Sequence, residues 1–94
     1  MVIIMRTKIK LFDTPFEALL YTTHRTKFQI NILIRIMFES NGDISILNIT
    51  ERDYIPFQLY YFMKENNHKI HDICWIDFLR YDGIQELVYI KEGE

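Results

Sequence analysis

Residues 27–39, KFQINILIRIMFE, alternate without a break. Phe28, Ile30, Ile32, Ile34, Ile36 and Phe38 fall on even positions, while Lys27, Gln29, Asn31, Arg35 and Glu39 fall on odd ones. A period of two is that of a β-strand with one buried face. The spacing therefore predicts a strand over 27–39, with Ile30, Ile32, Ile34 and Ile36 in the core. Ser40-Asn41-Gly42-Asp43 comes next. Asn-Gly supplies the two positive-φ residues of a tight hairpin turn, so 44–49 is the returning strand.

That turn fixes a register. Ser40 lies opposite Asp43, Phe38 opposite Ser45, Ile36 opposite Leu47 and Ile34 opposite Ile49, and this is the core face. The other face pairs Glu39 with Ile44, Met37 with Ile46, Arg35 with Asn48 and Leu33 with Thr50. Leu33, Met37, Ile44 and Ile46 thus cluster where water is expected. Such a cluster exceeds the scatter of single apolar residues on a free surface. Either a loop or the N-terminal Val2 and Ile4 cover it, or another chain does.

Working outward, Arg6 to Phe12 reads as a strand, with Ile9 and Leu11 alternating against Lys8 and Lys10. Thr14-Pro15-Phe16-Glu17 is a helix start: Thr14 caps, Pro15 suits the first position and Glu17 completes a capping box. This helix should end near His24. A second helix begins between Asn48 and Asp53, with Thr50 or Asp53 as its cap and Pro56 in its first turn. It runs to about Asn66-Asn67. Strand 73–81, an Asp82-Gly83 turn and strand 84–91 close the chain. The order β-α-β-β-α-β-β is a split βαβ, ferredoxin-like arrangement with an added strand, its two helices covering one face of an antiparallel sheet. Two αββ units side by side are the competing topology. Either way the fold is a small α+β domain spanning 1–94.

The last two elements repeat the surplus. With Asp82-Gly83 as a two-residue turn, one face of the second hairpin holds Cys74, Ile76, Phe78, Leu87 and Tyr89. The other holds Trp75, Leu79, Tyr81, Ile84, Val88 and Ile90, with only Asp77 and Glu86 polar. Strands apolar on both faces are buried on both. On the second helix, Ile55, Leu59, Phe62 and Met63 make a core stripe, and Tyr54, Phe57, Tyr60 and Tyr61 fill most of the remaining circumference. A helix apolar nearly all round lies in a core or an interface, and tyrosine favours interfaces. Hydrophobic residues make 49% of the chain, more than so short a core can hide.

Chemistry is less marked. His68 and His71, with Asp72 and Cys74 nearby, match no strong zinc pattern and read as loop histidines. Cys74, the one cysteine, reads as a buried thiol and excludes an internal disulfide, as suits a reducing compartment. The three glycines form no phosphate loop. No cofactor or metal is expected, nor catalysis. No signal peptide or membrane-length segment is visible, so the expected location is cytoplasmic.

The formal charge is −2. Residues 1–47 carry six Lys/Arg against four Asp/Glu, and residues 48–94 five against nine, a mild polarity without a polybasic arm. Isoleucine occurs sixteen times, valine twice and alanine once. Isoleucine codons are AT-rich, and short chains from AT-rich genomes are often phage or mobile-element cargo. The leading expectation is a non-enzymatic protein-interaction module that binds and modulates or inhibits a host protein, or pairs with itself as a homodimer. Its interface residues are Leu33, Met37, Ile44, Ile46, Tyr54, Tyr61, Trp75, Tyr81, Val88 and Ile90. The alternative is a small nucleic-acid-binding regulator. Its basic face is Arg6, Lys8, Lys10, Lys27 and Arg35, provided the first strand neighbours the long one.

Overall fold

The computed structural model describes residues 6–27, 31–50 and 55–92. It is a small compact α+β domain: β1 (Arg6–Ile9), α1 (Pro15–Arg25), β2 (Leu33–Ser40), β3 (Asp43–Ile49), α2 (Ile55–Asn66), β4 (Ile73–Leu79) and β5 (Ile84–Ile90). A 3-10 turn, Ile70–Asp72, leads into β4. The five strands form one mixed sheet in the order β1-β5-β4-β2-β3, with β1 parallel to β5 and the other pairs antiparallel.

This order corrects the split βαβ expectation, in which the first strand sits inside the sheet. Here β1 is an edge. It is four residues long and carries Arg6 and Lys8, a composition suited to an edge and not to burial between strands. The central pair is β2 with β4, both rich in apolar residues on each face. The run β3-β2-β4-β5 is two hairpins laid side by side, as the competing topology requires. Each helix lies on the other unit's hairpin: α1 on β4 and β5, α2 on β3.

The Thr14 hydroxyl caps α1 by accepting from the Glu17 N–H at 3.2 Å, and Pro15 opens the helix. The long strand starts at Leu33, later than its periodicity suggests. Asn31 adopts φ +54°, a left-handed conformation that ends extended structure there. Phe28, Gln29 and Ile30 lie outside the described residues, as do Val2, Ile4 and Tyr54. The Asn41-Gly42 hairpin has the expected form, with φ +54° and +86° and Ser40 opposite Asp43 through to Ile34 opposite Ile49.

The second hairpin differs from its reading by one residue near the turn. Arg80 pairs with Ile84, and three residues, Tyr81-Asp82-Gly83, form the loop. Gly83 takes φ +83°, and Asp82 Oδ1 accepts the Ile84 N–H that the turn leaves over. Phe78 therefore faces Glu86, and Asp77 faces Leu87. A bulge between Ile76 and Asp77 restores the expected pairs Ile76–Tyr89 and Trp75–Ile90. Val88 is the extra residue. It is 0% exposed and belongs to the core, so its expected place on the surplus face is corrected.

One core cluster joins Ala18 and Leu19 of α1 and Ile55 of α2 to Ile34, Ile36, Phe38, Leu47, Ile49, Ile76 and Phe78. All these strand residues share one face. Among the described residues, no helix covers the opposite, open face, where Ile44, Ile46 and Ile90 are exposed.

Candidate functional site

The strand registers place residues on the open face in rows that run across the sheet. One row is Ile90, Trp75, Met37, Ile46. Beside it runs Leu87, Asp77, Arg35, Asn48, and beyond that Gln85, Leu79, Leu33. Ile44 adjoins Glu39 at the other end. Ile44 is 61% exposed, Ile46 50% and Ile90 40%; Leu33, Met37 and Trp75 are half-buried. Between Arg35, Met37, Ile46 and Trp75 lies a shallow cleft of about 230 Å³.

A polar chain runs through the centre of this face. Arg35 Nε donates to Asp77 Oδ1 at 2.8 Å, and its Nη2 donates to Oδ2 of the same carboxylate. The Gln85 amide donates to Asp77 at 2.6 Å, and the Thr7 hydroxyl donates to Gln85 at 3.1 Å. Asp77 is 0% exposed, whereas the Arg35 side chain is 42% exposed. The hydrogen bonds to Asp77 raise the Arg35 pKa above its ordinary value. The pair is thus a fixed, internally neutralised feature that orients Arg35 beside the Trp75 cleft.

The sequence placed Leu33, Met37, Ile44, Ile46, Trp75 and Ile90 on a surplus face; the structure puts all six on one face, with the Arg35–Asp77 row between Leu33 and the other five. Tyr61 lies apart, exposed on α2, where its ring meets Tyr60 edge-on at 5.4 Å. Tyr81, 74% exposed, sits at the tip of the second hairpin. The basic residues are scattered. β5 and β4 separate β1 from β2, so Arg6 and Lys8 do not adjoin Arg35. They pair with Ile84 and Glu86 instead. Lys10 Nζ sits over the Tyr21 ring at 4.9 Å, and Lys27 follows α1.

Glu86, which the sequence grouped with Asp77, is on the helix face beneath α1. It accepts from Tyr21 Oη at 3.3 Å and meets Arg25 and Arg80 at 3.5 Å each. Burial first, and then the Glu86 carboxylate, raise the Tyr21 pKa. Cys74 donates to the Met37 carbonyl at 3.5 Å, and burial pushes its thiol pKa up, the reverse of what a nucleophile needs.

Sequence reading missed one constellation. His68 is buried, not a solvated loop residue: its Nε2 lies 3.2 Å from Ser45 Oγ and its Nδ1 3.3 Å from Asp72 Oδ2. The connectivity is that of a nucleophile, base and orienting acid. Ser45, however, sits mid-strand opposite Phe38. Its N–H faces β2 in that ladder and cannot help to hold an oxyanion. The imidazole also stacks on Phe38 at 5.0 Å. The arrangement ties the end of α2 to β3 and the 3-10 turn. Among the described residues, no group of three His, Cys, Asp or Glu side chains could hold a metal.

Asp72 accepts the Lys69 N–H at 3.0 Å, and this bond, with His68, lowers its pKa below the ordinary 3.8. A folded-state pKa below the unfolded one gives stability that is full above the unfolded value and lost as pH falls through the folded value. Asp72→Asn is expected to be less stable than the parent in urea at neutral pH, and the gap should close as the solution is acidified past that range. A gap independent of pH would show that the charge contributes nothing.

No helix among the described residues is long and apolar enough to cross a membrane. Comparison with protein-family models, curated proteins and solved structures gave no match.

Proposed function

We propose that this chain is a non-enzymatic interaction module, carried by a phage or mobile element, that captures a host protein on its open sheet face and inhibits or redirects it by occlusion. The observation that carries this reading is the row Ile90, Trp75, Met37, Ile46 with its cleft beside Arg35. Trp, Met and Arg are the residue types that interface centres enrich, and energetic anchors are commonly Trp or Arg set beside a pocket. The fixed Arg35–Asp77 pair supplies polar orientation without a net charge to desolvate. An apolar side chain from the partner suits the cleft.

Trp75→Glu is the test. The variant is expected to keep its circular-dichroism spectrum, because the indole is part of the open face and not of the core cluster. It should lose capture of the host protein, identified with the parent chain as bait, by at least about tenfold, since the new carboxylate would be desolvated without a partner. A folded variant that captures the same protein equally well would remove the basis of the reading. So would a variant that unfolds, because Trp75 would then be holding the domain together.

A further inference from the structure

The two edges of the sheet are built differently. β1 carries Arg6 and Lys8, charges that discourage another strand from pairing. β3 has seven residues, DISILNI, with neither lysine nor proline, and its pairing with β2 runs from Ser40–Asp43 to Ile34–Ile49 without a bulge. Both β4 ladders contain a register shift; this one does not. Ile44 and Ile46 are the exposed apolar side chains beside that edge, which no described strand pairs.

The hairpin turn fixes which backbone groups are free. In a two-residue loop the flanking residues form a hydrogen-bonded pair, and such pairs then alternate along the ladder. Asp43, Ser45, Leu47 and Ile49 therefore direct their N–H and C=O groups to β2. Ile44, Ile46 and Asn48 direct theirs outward. These three residues are self-complementary in backbone donors and acceptors about a twofold axis through Ile46. Donor meets acceptor when Ile46 faces Ile46 of a second copy and Ile44 faces its Asn48.

We infer that β3 pairs antiparallel with β3 of a second copy of this chain, in that register, making one continuous ten-stranded sheet. About six inter-chain hydrogen bonds result, two for each of three pairs. Side-chain charge agrees with the backbone. The paired stretch 44–48 contains no ionised residue. The flanking rows become Arg35, Asn48, then Ile44 and Glu39 of the second copy, so no like charges meet across the seam. The central row becomes Trp75, Met37, Ile46, then Ile46, Met37 and Trp75 of the second copy. This deepens the docking-face reading and rests on it only for the use of the joined face; the pairing itself stands on the edge.

Asn48→Pro removes one outward N–H and fills its place with a ring, while the apolar row is untouched. Proline is tolerated at such an edge position. Sedimentation equilibrium is expected to show a dimer for the parent and a monomer for Asn48→Pro, both folded. In a Cys74→Ser background, Ile46→Cys should cross-link to itself, because hydrogen-bonded antiparallel partners lie about 5.5 Å apart at Cα. Ile44→Cys should not, because four residues of offset separate the two copies of position 44 by about 14 Å. Ile44→Cys with Asn48→Cys should cross-link again.

A parent chain that is monomeric throughout overturns the inference. So does a dimer indifferent to Asn48→Pro in which Ile44→Cys links as well as Ile46→Cys. A monomer whose host-protein capture is abolished by Asn48→Pro gives the edge to a foreign strand and overturns self-pairing too. The two proposals separate cleanly. A monomeric parent with capture still lost in Trp75→Glu leaves the docking face standing, and a β3-linked dimer with Trp75→Glu capture intact leaves only the edge.

Discussion

Arg35→Met is expected to destabilise the domain by about 3–5 kcal/mol, the range for removing one partner of a buried ion pair. The two members of this pair are not equivalent. Asp77 is 0% exposed and the Arg35 side chain 42% exposed. Without Arg35, a carboxylate fixed beneath the open face keeps, among the described residues, the Gln85 amide as its side-chain partner. Asp77→Leu should cost clearly less, because a released Arg35 can extend into water instead of remaining buried and unpaired. Arg35→Met combined with Asp77→Leu should recover most of the loss, since two packed apolar side chains leave no charge to solvate. Urea unfolding of the four proteins, with slopes compared to confirm a common unfolding transition, measures all three differences. Equal costs for the two single variants would contradict the asymmetry in burial. A double variant as unstable as Arg35→Met would show that the row needs its polar pair for packing, not for charge.

The asymmetry between Arg35 and Asp77 was invisible in the sequence, although their strands were not. Alternation over 27–39 and the Asn41-Gly42 turn fixed the first hairpin register because both signals are local. Asn31 broke the same alternation early, since a single left-handed residue leaves hydrophobic periodicity intact. Asp82-Gly83 misled by one residue: Asp-Gly marks a two-residue turn, but Gly83 also suits the left-handed position that ends a three-residue loop. That one residue moved Glu86 under α1 and made Val88 core. Strand order was the larger miss. Which edge receives β1 depends on the pairing of β2 with β4, residues some forty apart, and no spacing within an element records it. The open apolar face was legible because Leu33, Met37, Ile44 and Ile46 follow from one hairpin. Ser45, His68 and Asp72 were not, because the contact of His68 with Ser45 joins two elements that share no ladder.

Phe38→Ala is expected to cost about 3–5 kcal/mol, near the top of the range for core truncation. Phe38 is fully buried, and three elements meet on it. Its ring lies 5.3 Å from Phe62 of α2 and stacks on His68 at 5.0 Å, with 19° between the planes. Truncation removes the aromatic contacts and leaves a cavity that the close-packed sheet beneath cannot collapse to fill. The loss should not spread evenly. His68 holds Ser45 on β3 and Asp72 in the 3-10 turn, so a missing stack also loosens the fastening of the α2 end. Amide exchange in Phe38→Ala should accelerate most in α2 and residues 68–72, and least in β4 and β5. Phe38→Leu keeps most of the volume and is expected to lose less than half as much. Trp75 lies on the other face, so its native fluorescence maximum should be unchanged in both variants. A cost below about 1 kcal/mol for Phe38→Ala, outside the core-truncation range, would mean that α2 does not rest on β2 through this ring. A uniform rise in exchange would mean instead that the sheet and α2 open as one unit, with His68 no longer a separate fastening.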